Sequence, residues 1–423
     1  MNDHIYAITK IEQKIVSFLL YEGKAVEIHC DETATESLLG NIYIGKIKNI
    51  AKNIAAAFVE IAPGSVCYLP LEEIKNPVYT KKGTSKLPQA GDELLVQVSR
   101  EGIKTKFPSV TTNITLYGKY ALLTMGNRTI SVSAKLAQSE KERLFGVVKK
   151  MEADQSRDMV QEDVPNCVLP NPEHSPSEKH SEMRSFGWLI RTNAGSVPEE
   201  ILVEDMQRLK HQYDFLMQQA IHRTCFSCLH KTPAAYLSRL SNLYNSEEIQ
   251  ILTDDEVLYE EIRDYLSTYQ PEDLVKLSFY KDDLLPMKKL YSLEHQMELA
   301  LAERVWLNSG GYLVIQPTEA LTVIDVNTGK FEGGKKKEAA FLKINLEAAK
   351  EIARQIRLRN LSGIIIVDFI NMESAESRKQ LMDRLDQLLR QDPIKTVLVD
   401  MTKLSLVEIT RMKREKPLAE AVR

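Results

Sequence analysis

A chain of 423 residues, 43% hydrophobic and 27% charged, can build two to four domains with real cores, which excludes a wholly disordered or fibrous protein. Its formal net charge of -4 carries no global basic excess, so any surface for a polyanion must be a local patch. Five scattered cysteines (Cys30, Cys67, Cys167, Cys225, Cys228) suit a reducing compartment better than a disulfide framework.

The N-terminus, "MNDHIYAITKIEQ", has no apolar stretch behind a basic start, and "IVSFLLY" is far too short to span a bilayer. A cytoplasmic protein is therefore expected. Residues 4 to 35 alternate short apolar runs with polar breaks, which predicts a strand or two and a hairpin. Five strand-like runs follow: "NIYIGKIKNI", "AAAFVEI", "SVCYLPL", "ELLVQVSR" and "PSVTTNITL". Their spacing suggests a small barrel rather than βαβ units. Residues 151 to 185 are rich in Pro, Ser and acids and poor in apolar periodicity, which predicts a loop insertion or a disordered segment. Order resumes at "FGWLIRTNAGS", and residues 200 to 235 and 255 to 269 read as helices.

After Pro286 the texture changes. "GGYLVIQPTEALTVIDVNTG" predicts a strand pair, and "KKEAAFLKINLEAAKEIARQIRLRN" a long helix with Leu342, Leu346, Ala349, Ala353 and Ile356 along one face. Next come a strand in "SGIIIVDFINM", a helix from Ser374 to Leu389, a strand in "IKTVLVD" and a basic helix in "SLVEITRMKREK". Alternating strands and helices predict a largely parallel sheet.

Two apolar strands in this region stop on an aspartate. Val323 and Ile324 lead to Asp325, and the β-branched run Ile364 to Val367, which suits a strand buried on both faces, leads to Asp368. In one parallel sheet their carboxyl ends share an edge, where open α/β sheets place ligands. Two desolvated carboxylates repel each other, and a divalent cation relieves that; Mg²⁺ fits, since it takes oxygen ligands, keeps waters and shares its shell with phosphate. Asn327, two residues beyond Asp325, lies on the same side if the strand persists and can orient a water or phosphate without adding charge. The competing reading is that each aspartate caps the helix after it.

Further candidates carry weaker signals. Phe58 and Tyr68, with Lys106 nearby, could form an aromatic and basic face for single strands, or the rings could be core. Arg191 and Thr192 end a strand at a Gly-containing turn, which suits a phosphate clamp but also an ordinary surface turn. "CFSC" (Cys225 to Cys228) supplies half the ligands of a zinc site and is better read as structural. "EGGKKKE" lacks the spacing of a phosphate-binding loop, although its lysines could make a basic patch after the Asp325 turn. Residues 330 to 423 hold twenty Lys and Arg against fourteen Asp and Glu, so a polyanion would be steered there.

"GGYLVIQPTEALTVIDVNTGKFEGG" followed by "NLEAAKEIARQIRLRNLSGIIIVDFINM" closely resembles the catalytic core of the ribonuclease E/G family. "GNIYIGKIKNIAKNIAAAFVEI…CYLPL" is similar to that family's S1 domain, "TKFPSVTTNITLYGKY" to its junction with the 5′-sensor region, and "GWLIRTNAG" to the sensor's phosphate pocket. The resemblance implies an α/β multidomain fold. An RNase H-like subdomain (1–36 and 211–285) would be interrupted by an S1 (OB-fold) barrel (37–117) and a 5′-sensor region (118–210). A DNase I-like α/β catalytic subdomain (286–423) would follow.

The implied activity is that of a Mg²⁺-dependent, single-strand-specific endoribonuclease of RNA processing and decay. It would leave 5′-phosphate and 3′-hydroxyl ends and prefer 5′-monophosphorylated RNA. Asp325 and Asp368 match the family's metal-binding aspartates, Asn327 the asparagine beside them, and Arg191 and Thr192 the pair that recognises a 5′-monophosphate. Phe58, Tyr68, Lys106 and Lys395 are the expected RNA contacts.

The chain departs from the family pattern in four places. It ends at "KREKPLAEAVR" with no CPxC zinc-link, so a homodimer is compatible with the sequence and a zinc-linked tetramer is not expected. Ala134 stands where a basic residue is common, "GGKKKEAA" replaces a stretch that is often acidic, and the 151 to 185 insertion has no counterpart. The rival readings are a non-catalytic RNA-binding or ribosome-associated protein on the same scaffold and a nuclease acting on DNA.

Overall fold

A computed structural model describes residues 4–32, 38–75, 77–85, 87–102, 107–126, 129–158, 186–241, 243, 249–329 and 337–423. The chain divides into two compact units. One joins Met1–Thr35 to Asn245–Arg423, and the other is Glu36–Tyr244.

The first unit opens with an antiparallel meander of three strands, where one or two and a hairpin were expected: β1 (His4–Ile11), β2 (Lys14–Tyr21) and β3 (Lys24–Glu32). The turn before β3 places Glu22 and Gly23 at φ 47° and 76°, the left-handed pair that a two-residue hairpin turn needs to match strand twist.

The second unit holds a closed barrel. Its strands are β4 (Ile42–Ala51), β5 (Ala56–Ala62), β6 (Ser65–Pro70), β7 (Tyr79–Lys81), β8 (Glu93–Arg100) and β9 (Ser109–Thr111). β4 pairs with both β5 and β8, which closes the ring β4-β5-β6-β9-β8 and leaves β7 as an appendage on β8. Inward-facing Ile47, Val59, Leu69, Leu94, Val96 and Val110 fill it. A four-stranded sheet follows, of β10 (Thr115–Tyr117), β11 (Ala121–Met125), β12 (Ile130–Val132) and β13 (Phe186–Ile190), in the order β10-β11-β13-β12. Helices α1 (Gln138–Asp158) and α2 (Glu199–His222) bury Leu144, Val148, Leu202 and Met206 in one core with its Leu123 and Trp188.

Two expectations change here. Helix α1 runs on through residues 151 to 158, first assigned to the loop, because Val147, Val148 and Met151 extend its buried face. Helix α2 stops at His222 rather than 235, since Arg223 turns extended (ψ 151°) and leads into β14 (Cys228–His230), which pairs with β4. A short helix, α3 (Ala235–Leu240), ends this unit's described elements.

Back in the first unit, β15 (Ile249–Thr253) lies parallel to β1, and α4 (Glu256–Tyr269) starts at Asp255, whose carboxylate accepts from the Leu258 N–H at 3.0 Å. Strand β16 (Leu277–Phe279) completes the order β16-β15-β1-β2-β3, and the short helices α5 (Met287–Leu290) and α6 (Leu293–Leu301) bury Met287 and Leu293 in its core.

The second sheet of this unit has six strands: β17 (Arg304–Trp306), β18 (Tyr312–Pro317), β19 (Leu321–Asn327), β20 (Gly363–Asp368), β21 (Thr396–Met401) and β22 (Leu406–Arg411). Helices α7 (Lys337–Leu358) and α8 (Ala375–Leu389) supply the crossover regions, and α9 (Leu418–Ala421) closes the chain. The order is β17-β18-β19-β20-β22-β21, and only β19–β20 is parallel, so the largely parallel sheet expected from the element pattern is corrected to a mixed one. The expected basic helix at "SLVEITRMKREK" is β22 instead. Buried Val407, Ile409 and Arg411 alternate with Leu406, Glu408 and Thr410, a period of two that the lysines and arginines beyond had masked.

The strand Ile364 to Val367 is not buried on both faces. Ile365 and Val367 lie under the helices with Ile352, Ile356 and Leu385, whereas Ile364 is 49% exposed. One face of this sheet is helix-covered and the other is open. The apolar stripe of α7 is also broader than expected. Ala349 and Ile356 are fully buried as expected, and Ile344, Ala348 and Ile352 are buried beside them, because the helix meets both the six-stranded sheet and β3.

Candidate active site

The open face of the six-stranded sheet is where the two aspartates meet. Asp325 and Asp368 are direct partners in the β19–β20 pairing, so their side chains point to the same face from backbones about 4.8 Å apart. That face is set by alternation: Thr322, Ile324 and Val326 turn into the helix-covered core and Asp325 and Asn327 turn away from it. Asn327 donates from Nδ2 to Asp325 Oδ2 at 2.6 Å, so the strand persists far enough to bring it alongside. Neither aspartate caps a helix: Ser374 caps α8, and α7 starts twelve positions beyond Asp325.

Burial pushes the Asp368 carboxyl above the ordinary aspartate range, and the neighbouring Asp325 charge pushes it further. Among the described residues no third His, Cys, Asp or Glu joins the pair to make a metal-binding cluster. Two adjacent carboxylates, one of them destabilised by the other's charge, fit Mg²⁺, which is held by one or two carboxylates while keeping several waters.

The backbone around the pair is tightly held. Asn345, fully buried in α7, donates to the Ile370 carbonyl at 2.8 Å and accepts from the Ile370 N–H at 3.1 Å, which pins the chain two residues past Asp368. Glu338, in the first turn of α7, accepts from the Ser374 N–H at 3.0 Å. Past Asn327, Gly329 adopts φ +64° against the Gly310 carbonyl, where a β-carbon would collide with backbone. Gly311 also packs against the Asn327 carbonyl oxygen, which lies 2.7 Å from where a β-carbon on Gly311 would be.

Most of the other expected residues belong to the second unit. Phe58 and Tyr68 are cross-strand partners on β5 and β6, with ring centroids 6.3 Å apart and both half-buried. Phe107 joins them at 5.8 Å from Phe58 and is 55% exposed, so the barrel carries an aromatic trio of which sequence reading found two. The signal for the third was its place beside Pro108, whose carbonyl accepts from the Tyr68 N–H. Lys106 lies outside the described residues, as do Lys335 and Lys336 of "EGGKKKE" and Cys167.

Arg191 and Thr192 do fall together at the end of β13. The Arg191 Nη1 donates to the carbonyls of Gly118 (2.9 Å) and Lys119 (3.2 Å), and the Thr192 hydroxyl lies 2.7 Å from that of Ser133. Lys395 is exposed just before β21, whose first residue pairs through Arg411 to Gly363 at the start of β20. It therefore sits on the edge strand at the end of the sheet away from Asp368, about 20 Å along the strand. Cys225 and Cys228 belong to no metal-binding cluster among the described residues. No helix among the described residues is long and apolar enough to cross a membrane.

Comparison with known proteins places this geometry. Residues 173–414 match the model of the ribonuclease E/G family. The chain is 32% identical over 411 residues to "Ribonuclease G" of Salmonella typhimurium, covering 95% of this chain and 78% of the relative. It is 30% identical over 422 residues to "Ribonuclease G" of Haemophilus influenzae, covering 97% and 79%. It is 31% identical over 391 residues to "Ribonuclease E" of a Nostoc species, covering 90% of this chain and 52% of that protein. A match spanning both compact units and the strand pair bearing Asp325 and Asp368 leads to one conclusion: the chain belongs to the ribonuclease E/G family.

Proposed function

We propose that the protein is an endoribonuclease of RNA processing and decay, a hydrolase that cuts single-stranded RNA with Mg²⁺ held by Asp325 and Asp368. The observation that carries this reading is the direct pairing of the two carboxylates on the open sheet face, with Asn327 bonded to one of them. When bound there, Mg²⁺ supplies stabilisation of the charge that develops on the scissile phosphate and makes water a stronger nucleophile. Asn327 holds the Asp325 carboxylate with one amide N–H and has a second N–H to offer a phosphate oxygen. Asn345 and Glu338 keep the strand end carrying Asp368 in place. In this reading the 3′ oxygen is the leaving group, so the products carry 5′-phosphate and 3′-hydroxyl ends.

Two further sites extend the proposal. Phe58, Tyr68 and Phe107 offer stacking surfaces for single-stranded bases, which is sequence-tolerant because every base has a π-face. Arg191 and Thr192 recognise a 5′-monophosphate, with the guanidinium anchored by backbone carbonyls and the hydroxyl beside Ser133. Lys395 lies far enough from the aspartates to meet a flanking stretch of the strand.

The test is one set of cleavage reactions on a 5′-monophosphorylated AU-rich RNA, its triphosphate twin and the matching DNA, with Mg²⁺ and with EDTA. Cleavage of RNA alone, only with metal and faster for the monophosphate, is the expected result. Asp325→Asn should cut about 10³-fold more slowly while still binding RNA, several kcal/mol of transition-state stabilisation being lost. An unchanged rate in that variant would overturn the two-aspartate site.

A further inference from the structure

The open face that carries Asp325 continues across two more strands to the edge of the sheet. In the β17–β18 pairing Trp306 faces Tyr312 and Arg304 faces Val314; in the β18–β19 pairing Tyr312 faces Asn327 and Val314 faces Asp325. Two rows therefore run across one face: Trp306, Tyr312, Asn327, and Arg304, Val314, Asp325, Asp368. Tyr312 stands one strand spacing, about 5 Å, from Asn327.

The outer ends of these rows form one cluster. The rings of Trp306 and Tyr312 have centroids 5.2 Å apart, and the Arg304 guanidinium lies 4.4 Å from the Tyr312 centroid and 5.8 Å from that of Trp306. Trp306 is 65% exposed, although tryptophan is a side chain that folding normally hides. Arg304 makes no ion pair among the described residues, so its charge is not neutralised within the cluster. A cross-strand aromatic pair by itself only steadies an edge strand. An exposed indole beside an unneutralised guanidinium, level with a pair of carboxylates suited to a phosphodiester, is also what a single-stranded nucleic acid stacks upon.

We infer that Arg304, Trp306 and Tyr312 form a stacking subsite for the base of a nucleotide flanking the scissile phosphate of single-stranded RNA. The inference rests on the proposed placement of that phosphate at Asp325 and Asp368. The indole takes the face of the base. Arg304, held over Tyr312, contributes cation–π attraction to the stack and positive charge to the adjoining phosphate. The subsite tolerates any base in this way and adds affinity beside the cut.

Fluorescence makes the subsite testable, because the chain has two tryptophans and Trp188 is buried. The probe is a 5′-monophosphorylated AU-rich RNA whose cut position has first been mapped with the wild-type protein. Full-length Asp325→Asn protein, with binding followed independently by anisotropy of labelled RNA, should show its tryptophan emission quenched as RNA binds. The quench should vanish when Trp306→Ala is added, and when one nucleotide beside the mapped cut is made abasic. In the wild-type background Trp306→Ala should raise KM about 5- to 100-fold with a smaller change in kcat, and Trp306→Phe should restore most of the loss. Bound RNA without a quench, a quench indifferent to every abasic position, or equal KM for the Ala and Phe variants would overturn the subsite. Cleavage at the wild-type rate by Asp325→Asn, read on a gel, would overturn the reading of the aspartates instead, so the two failures are distinguishable.

Discussion

Asp325 and Asp368 occupy positions where folding alone would not favour two carboxylates. Their strands are held in register by flanking pairs such as Ile324–Val367, and the register forces the two charges onto one face. The cost falls on Asp368, whose folded carboxyl is shifted above its unfolded value by burial and by Asp325. A carboxyl raised in this way binds its proton more tightly when folded. Its contribution to stability is therefore lost as pH rises from the unfolded value of 3.8 through the folded one, and at pH 7 the penalty is fully present. Asp368→Asn removes that penalty. Its melting temperature at pH 7 in EDTA should match or exceed that of the wild type, while cleavage falls about 10³-fold. Added Mg²⁺ should raise the melting temperature of the wild type and leave the variant where it was. A variant that melts well below the wild type in EDTA would mean that Asp368 is a structural residue.

At the scale of elements, α7 organises the first unit. One side of it lies on the six-stranded sheet, where Asn345 fixes the backbone beyond Asp368. Its C-terminal turns reach the meander: Arg354 donates to the Ala25 carbonyl at 2.6 Å, and Arg357 pairs with Glu27 on β3. Burial by itself would raise the Glu27 carboxyl, but the His29 hydrogen bond and the Arg357 charge outweigh it and hold Glu27 at about 2. A carboxylate held low stabilises the fold above its unfolded value of 4.5, and that stability is lost as pH falls from there toward about 2. Glu27→Gln should therefore cost about 2 kcal/mol at neutral pH, the scale of a hydrogen bond to a charged group. Urea titrations should show the difference from wild type intact at pH 7, shrinking below pH 4.5 and gone near pH 2. A difference of the same size at pH 2.5 would assign the loss to packing rather than charge.

Considered as a whole molecule, the first unit is assembled from two pieces of chain separated by the entire second unit. Phe18, Leu20 and Ile28 of the meander share one core with Leu252, Met287, Leu293 and Leu358 from beyond residue 244. Residues 245–423 expressed alone should accordingly lack a cooperative thermal transition, and supplying residues 1–35 through a flexible linker should restore one. A sharp melt of the shorter fragment would show that the meander is dispensable. Such long-range assembly marks the boundary of what local reading can reach. The chain's own residues determined the barrel strands, the long helix, and the two apolar runs ending at Asp325 and Asp368, because hydrophobic periodicity and β-branched runs are local signals. The same runs could not reveal that one face of the sheet stays open, that β22 is a strand rather than a basic helix, or that Phe107 and Trp306 stand beside other rings. Those features depend on which strands pair and on which side the helices pack. Only the tertiary structure decides that, because it is settled by contacts between residues far apart in sequence.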